Sequence, residues 1–213
     1  MKTGKTQDLV LTSILIALML VMYAVPFLGF IPLGFMNATL MHIPVIVGAI
    51  LLGPKAGALL GGVFGFTSFL KATFQPNATS FVFSPLYAVG DLHGTGWSLI
   101  VCFVPRILIG VVAYYVYRFL RRWFAGARAA AFVPLAGAGI AGSLTNTILV
   151  MNFIYLFFGR QYAQATARSF DVLYKAILSI IAVNGVPEAI VAAVVTAAAC
   201  GVLLRLRKTP SGH

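Results

Sequence analysis

Between Leu9 and Val25 the chain carries no charged residue, and five more apolar runs follow, at residues 37–52, 56–70, 98–120, 132–158 and 172–204. Across all six, the only Asp, Glu, Lys or Arg side chains are Arg106, Arg118, Lys175 and Glu188. A helix crosses the hydrocarbon of a bilayer with about 20 mainly apolar residues. Runs this long and this pure predict helices that live in lipid. They lack the alternating segments of about ten residues that a membrane β-barrel needs. In 213 residues they leave no room for a soluble catalytic or ATPase domain. Only 9% of the residues are charged, against roughly a quarter in a soluble domain, so water-facing surface cannot be covered. The expected fold is an all-α membrane protein, a six-helix bundle forming one integral-membrane domain over residues 1–213.

The positions of the charges set an orientation. A formal net charge of +11 raises nucleic acid as a partner, but the basic residues sit at the ends of apolar runs and form no phosphate-contacting face. That distribution marks cytoplasmic loops instead. With the N-terminus inside, the inner side holds Lys2, Lys5, Lys55, Arg118, Arg121, Arg122, Arg128, Arg205, Arg207 and Lys208. The outer side holds Lys71, Arg160, Arg168 and Lys175. Both termini are then expected in the cytoplasm of a multi-pass plasma-membrane protein. The first run is not read as a signal peptide, because Pro26 follows it in place of a small-x-small cleavage site. Cys102 and Cys200 fall in different spans, so no disulfide is expected.

Small residues recur every fourth position at Gly53, Gly57, Gly61 and Gly65, again at Ala189, Ala193, Ala197 and Gly201, and briefly at Ala138 and Gly142. Such stripes let helix backbones approach closely. They serve internal packing or docking onto another membrane subunit, and small residues alone do not separate the two.

Polar side chains at membrane depth are costly and usually face a cavity or a partner. Arg106, Asn146, Asn152, Asn184 and Glu188 lie within the later spans, while Asn37, Thr39 and His42 open the second. Arg106 and Glu188 either pair with each other or serve a ligand. The planar fork of Arg106 suits a carboxylate. His42 reads as a satisfied helix-start histidine, since no second His or Cys stands at metal-ligand spacing from it. Two outer segments read as walls. Residues 27–35, with Phe30, Pro32 and Phe35, are uncharged and poor in helix formers, an apolar lid. Residues 79–97 interleave Tyr87 and Trp97 with polar groups, as pocket walls do and as interfacial anchors also do. No phosphate-binding G-x-x-x-x-G-K-[ST] loop, H-E-x-x-H or G-x-S-x-G occurs, so neither ATP hydrolysis nor familiar hydrolase chemistry is expected, and no metal or cofactor.

The stretch Met41-His42-Ile43-Pro44-Val45-Ile46-Val47-Gly48-Ala49-Ile50-Leu51-Leu52-Gly53-Pro54-Lys55-Ala56-Gly57-Ala58 resembles the substrate-binding subunits, or S components, of energy-coupling factor (ECF) vitamin transporters. The resemblance continues through Gly61-Gly62-Val63-Phe64-Gly65-Phe66-Thr67-Ser68, Phe83-Ser84-Pro85, Val104-Pro105-Arg106-Ile107-Leu108-Ile109-Gly110 and Asn184-Gly185-Val186-Pro187-Glu188-Ala189. It covers nearly the whole chain and is greatest to the pantothenate type. It implies a subunit that captures a vitamin outside and works with a transmembrane coupling subunit and two cytoplasmic ATPases. It also implies a loop closing over the ligand at residues 27–35. The family's Ala-x-x-x-Ala face toward the coupling subunit maps onto Ser13 and Ala17, with serine in place of the first alanine.

With a pantothenate-like ligand, Arg106 is expected to hold the carboxylate, and Asn146, Asn152 and Asn184 to serve hydroxyls and amide. Asn37 and Glu188 join the polar set, and Tyr87 and Trp97 wall the apolar part. Another vitamin (folate, cobalamin or a pyridoxine-like compound) and a ligand-free membrane scaffold stay open on the residues alone.

Overall fold

A computed structural model describes residues 3–25, 29–32, 37–125 and 132–208. Most of the described residues are helical: α1 (Thr3–Ala24), α2 (His42–Leu52), α3 (Pro54–Phe74), α4 (Gly96–Trp123), α5 (Val133–Ala165), α6 (Phe170–Ile180) and α7 (Val186–Lys208). A five-residue π-helical segment, Ile181–Gly185, joins α6 to α7 in one continuous rod. Two short antiparallel ladders interrupt the helices: β1 (Phe30–Pro32) with β2 (Asn37–Thr39), and β3 (Ala88–Val89) with β4 (Leu92–His93).

Among the described residues five helices are long and apolar enough to cross a membrane. α2 is not one of them. At 11 residues it rises only about 16 Å, against roughly 30 Å of hydrocarbon. The expected span from Asn37 to Leu52 is shortened because residues 37–39 are drawn into the ladder with β1, and Gly53, at φ 99°, ends the helix and hands over to Pro54 at the first position of α3. Residues 42–51 are all buried. A helix apolar on every side belongs in a core, and α2 packs against α1, α3, α4, α5 and α7.

The inner positions of the small-residue stripes are spent on close packing inside the bundle, while a methyl on Gly53 or Gly201, at their ends, would meet nothing within 4 Å. A methyl group on Gly57 would fall 3.0 Å from the Gly110 Cα, and one on Gly61 would fall on the Arg106 carbonyl oxygen and 2.7 Å from the Ile107 Cα. These contacts press α3 and α4 backbone to backbone. On the far side, a methyl on Gly139 would meet the Ala192 carbonyl oxygen at 2.6 Å, bringing α5 against α7. Ala189, Ala193 and Ala197 are buried in the same interface region. Cys102 and Cys200 are free and buried.

Two apolar clusters result. One surrounds α2, with Leu15, Met19, Ile46, Leu60, Ile109 and Ala197. The other joins Phe81, Val101, Met151, Phe158 and Leu173 at the opposite end of the bundle. α1 is attached to the first by a single stripe (Leu15, Met19 and Met22), leaving Ile14, Leu18 and Val21 exposed.

Candidate functional site

Between the two clusters lies a cavity of about 130 Å³, measured as room for the centre of a water-sized sphere. α3 contributes Phe64, Ser68, Lys71 and Ala72, a stripe with helical spacing, and Gln75 follows at its C-terminal cap. α5 contributes Asn146, Thr147, Val150, Met151 and Ile154. Arg106 enters from α4, Asn184 from the π-helical segment, Glu188 from α7, Thr39 from β2, and Phe83 from the loop before β3. The cavity therefore occupies the half of the bundle that holds the 75–95 loop and the α5–α6 junction. The arginine-rich end of α4 lies in the other half.

Local sequence explains how Arg106 tolerates this depth. Pro105 has no N–H, so the carbonyl of Val101, four residues back, loses its helical partner. Arg106 Nη1 donates to that carbonyl at 2.7 Å. Its guanidinium also sits over two aromatic faces, 5.0 Å from the Phe83 ring centre and 5.6 Å from that of Phe64, within cation–π range. Arg106 Nε remains buried without a hydrogen-bond partner, as do Asn146 Oδ1 and Ser68 Oγ. Three buried polar atoms without partners thus belong to residues lining one cavity, an arrangement that calls for an explanation.

Glu188 is held differently. Its Oε1 accepts the Thr39 backbone N–H at 2.8 Å, and its Oε2 accepts the Thr147 hydroxyl at 3.2 Å. Of the two readings open from the sequence, the ion pair with Arg106 is not formed. Glu188 ties the β1–β2 ladder to α7 instead. Pro187 stands two residues beyond the π-helical segment, and its missing N–H favours such a local widening. Residues 180, 184 and 188 thereby share the cavity face.

The structure brings Arg106, Asn146, Asn184 and Glu188 together and leaves three expected site residues elsewhere, the polar Asn152 and the wall residues Trp97 and Tyr87. Asn152 Nδ2 donates to the Ile148 carbonyl of its own helix at 2.7 Å. Trp97 is 50% exposed, stacks on Phe157 with ring centres 4.4 Å apart and does not line the cavity. Tyr87 packs against the second apolar cluster and does not line the cavity. Phe35 lies outside the described residues, as do the side chains of Phe30, Pro32 and Asn37. The backbones of those three form the ladder, Phe30 opposite Thr39 and Pro32 opposite Asn37. His42 is fully buried with neither ring nitrogen hydrogen-bonded, so it is not the satisfied histidine expected. Ser13 and Ala17 face outward on α1.

Sequence reasoning missed Phe64, Ser68 and Thr147 as cavity residues. The signal was available in part: Phe64, Ser68 and Lys71 continue the face of α3 that Gly57 and Gly61 turn inward.

The family described as "ECF transporter, substrate-specific component" matches residues 7–199. The chain belongs to this family. As an S component it is a multi-pass membrane protein, the substrate-specific part of a vitamin importer. It is 39% identical over 212 residues to the "Pantothenic acid transporter PanT" of Lactococcus lactis, covering 97% of this chain and 98% of that protein. It is 28% identical over 209 residues to the "Pantothenate transporter PanT" of Leuconostoc mesenteroides, covering 96% and 95%. The family and both relatives are transporters, not enzymes.

The geometry of this S component separates inward from outward residues by experiment. Trp97→Ala and Asn152→Ala will leave ligand affinity within about threefold of the parent, as expected for side chains that touch no ligand. Isothermal titration of the purified variants checks this.

Proposed function

We propose that this S component captures pantothenate from outside the cell. In this reading five helices cross the bilayer, and the short α2, buried inside the bundle and continued by residues 39–41, makes the sixth pass without facing lipid, so that both termini lie in the cytoplasm. It delivers its ligand to a transmembrane coupling subunit energised by two cytoplasmic ATPases. The observation that carries the ligand assignment is the buried Arg106 guanidinium, whose Nε is unpaired, on a cavity also lined by Asn146, whose amide oxygen is likewise buried and unpaired. A carboxylate meets the first and a hydroxyl or amide donor the second. Pantothenate has both, and Met151 and Ile154 offer apolar surface to the gem-dimethyl group between its two hydroxyl-bearing carbons. The names of the two relatives point to the same compound.

The topology rests on ten basic residues expected inside against four outside. The cavity occupies the half of the bundle that this charge bias puts outside. The outward face of Ser13 and Ala17 on a sparsely packed α1 supports docking of the coupling subunit there.

Small molecules released from the chain after purification in detergent, identified by mass spectrometry, test the assignment. Pantothenate is the expected species. Folate, cobalamin or a pyridoxine-like compound in its place contradicts the ligand, and a chain that neither carries nor binds any vitamin contradicts the capture role.

A further inference from the structure

The charges around the cavity are divided between its walls. Both cations, Lys71 and Arg106, stand on α3 and α4, while the carboxylate of Glu188 stands on α7. Arg106 and Glu188 line one space without an ion pair between them, although opposite charges at this depth gain from pairing. Each is fixed by other partners: Arg106 by the Val101 carbonyl, and Glu188 by the Thr39 N–H and the Thr147 hydroxyl. The two charges are held apart with the cavity between their walls.

Both Glu188 oxygens act as acceptors, as an ionised carboxylate's do, and each has a second lone pair. A carboxylate can take further donors but repels another anion. Asn146 Oδ1, buried and unpaired, is a further acceptor on the neighbouring α5. One wall therefore offers cationic donors, and the other offers acceptors. A ligand with an anion at one end and hydroxyl protons at the other fits in one direction only.

We propose that pantothenate lies across the cavity with its carboxylate on the α3–α4 wall and its hydroxyl end on Glu188, and that Glu188 excludes molecules whose terminal hydroxyl is phosphorylated. The proposal rests on the pantothenate reading and adds direction and exclusion to it. A phosphate monoester loses the donor and brings about −1.5 to −2 charges toward a carboxylate held in a largely water-free wall. Rejection by a fixed like charge is how a site separates molecules that share most of their contacts.

The test is titration of the purified chain with three probes: pantothenate, its terminal O-methyl ether and its terminal phosphate monoester. The ether removes the donor without adding charge and is expected to bind about tenfold more weakly than pantothenate. The phosphate monoester is expected to bind at least about a hundredfold more weakly. Glu188→Gln keeps an oxygen for the Thr39 N–H and removes the charge, and it is expected to recover about tenfold of the affinity for the monoester. A monoester that binds as well as or better than pantothenate overturns the proposal, because it places the hydroxyl end beside Lys71 and Arg106. An ether as weak as the monoester also overturns it, since size and not charge then decides. So does a folded Glu188→Gln protein that binds pantothenate yet excludes the monoester as before. If that variant does not fold, the ether–monoester comparison in the parent chain decides alone. Failure of the parent to bind pantothenate at all removes the ligand assignment itself. Equal binding of pantothenate and monoester leaves that assignment standing and removes only the direction and the exclusion.

Discussion

Arg106→Ala will weaken pantothenate binding by about a hundredfold or more, since losing one partner of a buried charged pair costs about 2–5 kcal/mol. The guanidinium is already held in place by the Val101 carbonyl and by the rings of Phe64 and Phe83, so little ordering remains to be done when a carboxylate arrives. That preorganisation is why the effect belongs at the upper end of the range. The neutral carboxamide of pantothenate separates charge pairing from general damage to the site. If Arg106 meets the carboxylate, the carboxamide binds the parent weakly and loses far less than pantothenate on substitution. A folded Arg106→Ala protein with near-normal affinity for pantothenate contradicts the pairing. Arg106→Lys keeps the charge but neither the planar fork nor the stacking, and it restores only part of the loss.

The second large effect is expected at a residue that touches no ligand. Gly61→Ala will reduce the yield of folded protein and lower its melting temperature in detergent. The added methyl falls on the Arg106 carbonyl oxygen and close to the Ile107 Cα. Overpacking usually costs about 1–3 kcal/mol when side chains can move aside. Here the obstacle is backbone, which cannot rotate away, so α3 and α4 must separate. Gly62→Ala is the control next door. A methyl there meets nothing within 4 Å, and the substitution will be neutral or slightly stabilising, because alanine is the better helix former. Equal melting temperatures for the two variants contradict the packing account. Because the clash is with Arg106 itself, any Gly61→Ala protein that does fold will also bind ligand more weakly.

The helical character of the chain was legible because long uncharged runs have few alternatives. The length of α2 was not, since hydropathy counts residues 37–41 as apolar and says nothing of their pairing with residues 30–32. Arg106, Asn146, Asn184 and Glu188 could be singled out because a polar group at membrane depth needs a reason to be there. Asn152 met the same criterion and satisfied itself on its own helix, an option open to short polar side chains. Trp97 and Tyr87 misled for another reason. Aromatic residues gather both around ligands and at the membrane interface, and composition cannot tell the inner face of a loop from the outer one. Thr39 and Thr147 became informative only as the two donors to Glu188, a relation spanning 149 and 41 residues of sequence. The small-residue stripes were read with two outcomes open, and the contacts of Gly57, Gly61 and Gly142 assign those positions to the interior.

The central claim, that the buried polar groups form one pantothenate site, is tested most directly by binding of radiolabelled pantothenate to the purified chain without its partner subunits. The account predicts saturable uptake of one molecule per chain, displaced by unlabelled pantothenate and left unaffected by folate or pyridoxine. Absence of saturable binding to a folded chain, or equal displacement by those other vitamins, would contradict it.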